Sequence, residues 1–114
     1  MKSYLIDGNN EEFALTANYA ADIVLKLVGL GVADVTGHTF NFDIGQEGED
    51  AIISAAATIT NPIDPAEIKL TIPKTTFSAP HDKLVLQIRW TDLTAVERVI
   101  FKGFIDVLEA VTPI

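Results

Sequence analysis

The chain has no cysteine. Disulfide staples and thiolate metal centres are excluded, so burial alone must hold the fold together. Basic residues are scarce: eight Lys and Arg against sixteen Asp and Glu leave a formal charge of −8. A chain of that sign is repelled by phosphate backbones and anionic headgroups, and no basic stripe offsets it. Neither nucleic acid nor membrane is therefore expected as a partner, and the acidity is read as a device for solubility. Serine occurs only at Ser3, Ser54 and Ser78, none of them in a G-x-S-x-G elbow. No apolar run approaches the roughly 18 residues of a membrane helix. The opening "MKSYLIDGNNEEF" lacks the apolar core of a signal peptide, so synthesis in the cytoplasm without a cleaved leader is expected.

What is present is a composition for one packed domain spanning residues 1–114, with 48% hydrophobic residues. The dominant period is two. In "HTFNFDI" the apolar set is Phe40, Phe42 and Ile44; in "EIKLTI" it is Ile68, Leu70 and Ile72; in "KLVLQIRW" it is Leu84, Leu86, Ile88 and Trp90. Alternate side chains point to opposite faces of a strand, so each set marks one dry face. "DIVLKLVG" places Ile23, Leu25 and Leu27 together, with Val24 and Val28 opposite. "EDAIISAAATIT" alternates Ile53, Ala55, Ala57 and Ile59. "RVIFKGFIDVLEA" offers Val99, Phe101, Ile105 and Val107, with Gly103 as a candidate bulge or close approach.

Turn clusters such as "DGNN", "DVTG", "GQEGED", "NPIDP" and "SAPHD" separate these segments. "TDLTAVER" reads as a loop between two strands. The expectation is all-β: an immunoglobulin-like antiparallel sandwich of about seven to eight strands.

Chemistry-bearing groups are sparse. Asp43, Glu47, Glu49 and Asp50 in "DIGQEGED" are weak calcium candidates, because their spacing does not match the alternate ligand positions of an EF-hand. Solvated carboxylates in a hairpin loop account for them more simply. His38 and His81 lie in different turns, and nothing in the sequence brings them together around a metal. Trp90 shares parity with three core aliphatics, which places it in the core near a strand end where its indole N–H finds a partner. Tyr4 and Tyr19 are freer, yet two tyrosines do not make a sugar platform. "VTGH" lacks the lysine and helix of a phosphate loop. No catalytic residue and no cofactor are expected.

The order of the pieces resembles the immunoglobulin-like domain at the amino-terminal end of phage baseplate upper proteins, a domain that also occurs as small virion proteins of tailed phages. The likeness covers about residues 13–113. Asp34, Thr36 and Gly37 match that family's D-L-T-G corner, with Val35 for the leucine. Thr75 and Thr76 match a threonine before the chain-reversing loop. "KLVLQIRWTD" matches a strand in which an aromatic is common where Leu86 or Ile88 stands. "GFIDVLEAVTP" matches the last strand with its Val111-Thr112 ending. The resemblance implies a non-catalytic tail or baseplate part acting through protein–protein contacts or self-association, made in the host cytoplasm and carried in the virion. A carbohydrate-binding module for host-surface glycans is the alternative expectation. Val24, Val85 and Phe104, on nominally outer faces, are candidate contributors to a contact patch.

Overall fold

The computed structural model describes residues 2–6 and 12–111, and the side chains of residues 13–111. Among these residues all regular structure is strand. The elements are β1 (Lys2–Ile6), β2 (Glu12–Thr16), β3 (Ala21–Leu27), β4 (Thr39–Gly45), β5 (Ala51–Ala56), β6 (Thr58–Asn61), β7 (Ala66–Ile72), β8 (His81–Thr91) and β9 (Glu97–Leu108). They form two sheets, ordered β1-β3-β7-β6 and β2-β9-β8-β4-β5. This is the all-β sandwich expected from the alternating pattern.

Immunoglobulin-type sandwiches run A-B-E-D in one sheet and carry C-F-G in the other. The order found here is that arrangement, with β2 and β5 as extra edges on the second sheet. Two pairings depart from an all-antiparallel scheme: β1 runs parallel to β3, and β2 parallel to β9.

The two inner faces supply the core. The first sheet contributes Ile23, Leu25, Leu27, Ile68, Leu70 and Ile72. The second contributes Phe40, Phe42, Ile44, Leu84, Leu86, Ile88, Trp90, Phe101, Ile105 and Val107. Each fully buried aliphatic or aromatic of this kind stabilises the fold by about 1.5–3 kcal/mol relative to exposure. No polar or charged residue is buried among the described side chains, so this core is wholly apolar.

One finer expectation needs correction. "EDAIISAAATIT" is not one strand: the chain leaves the second sheet at Ala57 and continues as β6 in the first. The N-terminal segment supplies β1 at the edge of the first sheet, so the described strands number nine, close to the expected seven to eight.

Val99 also misses its expected face. The β8–β9 register slips between the pairs Ile88↔Phe101 and Arg89↔Val99, so Ile100 is an extra residue. That bulge reverses the parity and leaves Val99 50% exposed on the outer surface. The ladder runs unbroken through Gly103, which pairs with Leu86, so of its two expected roles, bulge or close approach, the bulge falls instead three residues earlier, at Ile100.

A second bulge does require a glycine. Between Ile44↔Ile53 and Gly45↔Ala51 the register shifts, leaving Ile52 extra on β5. A Cβ on Gly45 would stand 3.0 Å from both the Ala51 Cα and the Asp50 carbonyl oxygen. Both are backbone atoms, so a side chain at Gly45 fits only if the bulged backbone of β5 shifts by a few tenths of an ångström.

Candidate functional site

Pairing of Thr39 with Thr91 puts the start of β4 beside the end of β8. The β3–β4 and β8–β9 connections therefore meet at one end of the sandwich. Both carry the same short signature, Asp-x-Thr followed by a left-handed residue.

In the first corner Asp34 Oδ1 accepts from the Thr36 backbone N–H at 2.9 Å and from its hydroxyl at 2.6 Å. The His38 N–H then closes the turn onto the Val35 carbonyl at 2.9 Å, with Gly37 at φ 84°. Asp and Thr favour such local bonds, and glycine takes positive φ without a Cβ clash. In the second corner Asp92 Oδ1 accepts from the Thr94 N–H at 2.9 Å, the Thr94 hydroxyl at 2.6 Å and the Val96 N–H at 3.1 Å. Ala95 takes the left-handed position at φ 63°, and Arg98 closes on Asp92 Oδ2 at 3.0 Å.

The Thr36 hydrogen bonds hold the Asp34 carboxyl below its ordinary range. Asp92 is lowered much further, chiefly by the Thr94 hydroxyl. Hydrogen bonds to the charged form favour ionisation in both corners.

The shared signature has opposite consequences for its middle residue. Val35 is fully buried and plugs the end of the core, whereas Leu93 is 71% exposed. The two corners nevertheless touch: a Cβ built on Gly37 would lie 3.1 Å from Leu93 Cδ2. Antiparallel bridging of Asp34 to Ile63 brings the β6–β7 connection alongside. Val35 N–H donates to the Pro62 carbonyl, and Asp64 N–H to the Ala33 carbonyl, both at 2.9 Å. Leu93, Ile63 and Val96 thus form exposed apolar tips on backbone that hydrogen bonds pin in place. Asp34, Gly37, Asp64 and Glu97 are also exposed at this end.

Behind the tips, Trp90 is buried as expected. Its indole N–H donates to His38 Nδ1 at 2.9 Å. The Trp90 ring stacks on His38 and Phe40, with the Arg98 guanidinium 5.0 Å from its centroid. His38, whose role the sequence left open, is the acceptor for the core tryptophan.

The calcium candidates do not converge. Asp43 points onto the outer face of the second sheet, where Arg89 binds it through Nε at 2.8 Å and Nη2 at 3.1 Å. Gln87 and the Ser54 hydroxyl also donate to it. Burial works to raise the Asp43 pKa, but the Ser54, Gln87 and Arg89 hydrogen bonds outweigh it and the net shift is downward. Glu47, Glu49 and Asp50 stay exposed in the loop rimming an open depression of about 460 Å³. No group of three or more His, Asp or Glu suited to a metal occurs among the described residues.

The histidines do not meet either. His81 begins β8 and packs edge-on against Phe77, whereas His38 bonds Trp90 near that strand's other end, about 30 Å away at the strand rise.

Of the patch candidates, Val24 is buried and drops out, Val85 is half-buried, and Phe104 is exposed. Tyr19 is exposed at a depression of about 690 Å³ that also includes Leu15, Asp22 and Val111. The side chains of Ser3 and Tyr4, and residue Thr112, lie outside the described residues.

Sequence reasoning missed the pairing of the two corners, although "DVTG" and "DLTA" announce it. No protein-family model matches the chain, and comparison with curated proteins returns no match.

Proposed function

We propose that this domain is a non-catalytic structural part of a phage or prophage virion, a tail or baseplate module that works by protein–protein contact. The observation that carries this reading is the exposed Leu93, held with Ile63 and Val96 on hydrogen-bonded corners at one end of an immunoglobulin-type sandwich. Loops at one end of such sandwiches serve as recognition surfaces elsewhere. Rigid apolar tips lose little entropy on docking, which favours their use as anchors. The acidic surface supports a protein partner over nucleic acid or membrane. The resemblance of the Asp34-Thr36-Gly37 corner and of the closing strand to baseplate domains supplies the virion context.

The test is particle composition. Virions released from a host carrying the gene and banded on a density gradient are expected to contain this chain in fixed proportion to their tail proteins. Banded particles free of the chain would overturn the virion assignment. A glycan-array signal lost on mutation of Tyr19 would favour the carbohydrate-binding alternative.

A further inference from the structure

Four strands form the sheet edges: β1 and β6 in the first sheet, β2 and β5 in the second. Exposed edges invite pairing with another chain, and proteins usually blunt them with charges, prolines, bulges or short length. β1 and β2 include Lys2 and Glu12. β6 is four residues long, bulged between Ile59 and Asn61, with the Thr60 hydroxyl turned onto Glu67. β5 reads Ala-Ile-Ile-Ser-Ala-Ala, without charge or proline. Its single bulge, at Ile52, leaves the run from Ile53 regular.

The direction of its free hydrogen bonds follows from one contact. Ala57 N–H donates to the Phe40 carbonyl at 2.8 Å, continuing the register in which Ala55 faces Phe42 and Ile53 faces Ile44. Backbone groups alternate sides along a strand, so Ile53, Ala55 and Ala57 bond toward β4. The N–H and C=O of Ser54 and Ala56 therefore face away from β4, and among the described residues no strand pairs with β5 on that side.

We propose that β5 pairs antiparallel with β5 of a second copy of this chain about a two-fold axis at Ala55, joining two five-stranded sheets into one. Ser54 then faces the partner's Ala56 in hydrogen-bonded pairs, giving about four backbone bonds. Ile53 faces the partner's Ala57 on the inner side. The central residues Ser54, Ala55 and Ala56 are small and let the backbones approach, and a two-fold interface closes on itself and stops at the dimer.

Electrostatics select this orientation. Glu47, Glu49 and Asp50 sit at one end of β5 only. A parallel pair would set two acidic loops side by side, whereas the antiparallel pair sends them to opposite ends. The proposal rests on the edge itself and not on the virion reading.

The test is solution mass by sedimentation equilibrium across a concentration series. Wild type is expected to rise from 12.3 kDa toward twice that value. Ala56→Lys, which places a charge on the outer face of the joint, is expected to stay monomeric with an unchanged circular dichroism spectrum. A second variant exploits the lack of native cysteine. Ala55→Cys is expected to form a disulfide-linked dimer on mild oxidation, and Leu93→Cys at the loop end is not. A wild-type chain that stays at monomer mass throughout overturns the pairing, as does a dimer that Ala56→Lys leaves intact. Either outcome leaves the particle-composition test untouched.

Discussion

The indole N–H of Trp90 ends on Nδ1 of His38, 2.9 Å away, with the two rings nearly parallel at 16°. The only tryptophan in the chain is thereby buried without an orphaned donor at the end of the sandwich that carries the exposed tips. His38→Ala removes the acceptor from a donor that is already desolvated. The expected cost is about 1–3 kcal/mol. It should show up as a lower urea midpoint, accompanied by a red shift in tryptophan emission as water reaches the indole. His38→Gln, whose amide oxygen can accept, should recover part of the loss. An unchanged midpoint in His38→Ala would show that the bond contributes nothing net.

Gly37→Ala tests the contact between the corners. An L-residue at φ 84° is strained, and the new Cβ meets Leu93 Cδ2 at 3.1 Å. Leu93 is exposed and its side-chain end can give way, so the strain term dominates, at about 1–2 kcal/mol. The double variant Gly37→Ala with Leu93→Ala separates the two effects. Near-complete recovery of stability in it would mean that the contact, and not the backbone conformation, sets the cost.

Gly45→Ala carries the opposite balance. The backbone at Gly45 is not left-handed, but backbone atoms of Ala51 and Asp50 stand 3.0 Å from the point its Cβ would occupy. Ala51 and Asp50 must shift, which reopens the Ile52 bulge. A loss of about 1–3 kcal/mol is expected by chemical denaturation. Gly48, with open space around it, is the control for loop position, although its φ of 79° adds strain of its own.

Acid should unfold the domain through named groups. Asp34, Asp43 and Asp92 all have folded pKa values below their ordinary ones. A carboxylate lowered in the folded state contributes stability that is fully present above the unfolded value of about 3.9. That stability is lost as pH falls from there through the folded values. The urea midpoint should therefore be flat in this respect from neutrality down to about pH 5 and fall below about pH 4. Asp43→Asn should flatten the acid limb. The same acid slope in Asp43→Asn and in Asp92→Asn as in wild type would assign the effect to other acids.

The strands themselves were legible because one face of each is dry. Phe40, Phe42 and Ile44, like Ile68, Leu70 and Ile72, announce their faces by period alone, and Trp90 follows the parity of Leu84, Leu86 and Ile88. What period cannot show is which strand lies beside which. Ala57 looks like any other alternating position, yet there the chain changes sheets, because Ile59 and Ile53 face the same core from opposite layers. Val99 was misplaced because a one-residue bulge at Ile100 is silent in a hydropathy pattern. Val35 and Leu93 occupy equivalent places in equivalent motifs, and only the tertiary fold decides that one plugs the core and the other meets solvent. The partner of His38 lies 52 positions along the chain, beyond any local signal.

Leu93 supplies the most direct test of the loop end as an interaction surface. It is 71% exposed, so Leu93→Asp removes an apolar tip without opening the core. The corner beneath it is held by Asp92, Thr94 and Arg98, none of which needs the Leu93 side chain. The thermal midpoint should move by less than about 0.5 kcal/mol equivalent, as for other exposed substitutions. Incorporation into particles should fall at least about tenfold if Leu93 is one of the few hot-spot residues of the contact, whose loss costs about 2 kcal/mol or more. The comparison is Phe104→Asp, which alters an exposed apolar residue on the outer face of the second sheet, away from the corners. Loss with Leu93→Asp but not with Phe104→Asp locates the contact at the loop end. The reverse pattern moves it to the sheet face, and equal incorporation of both variants removes exposed apolar side chains from the account of assembly.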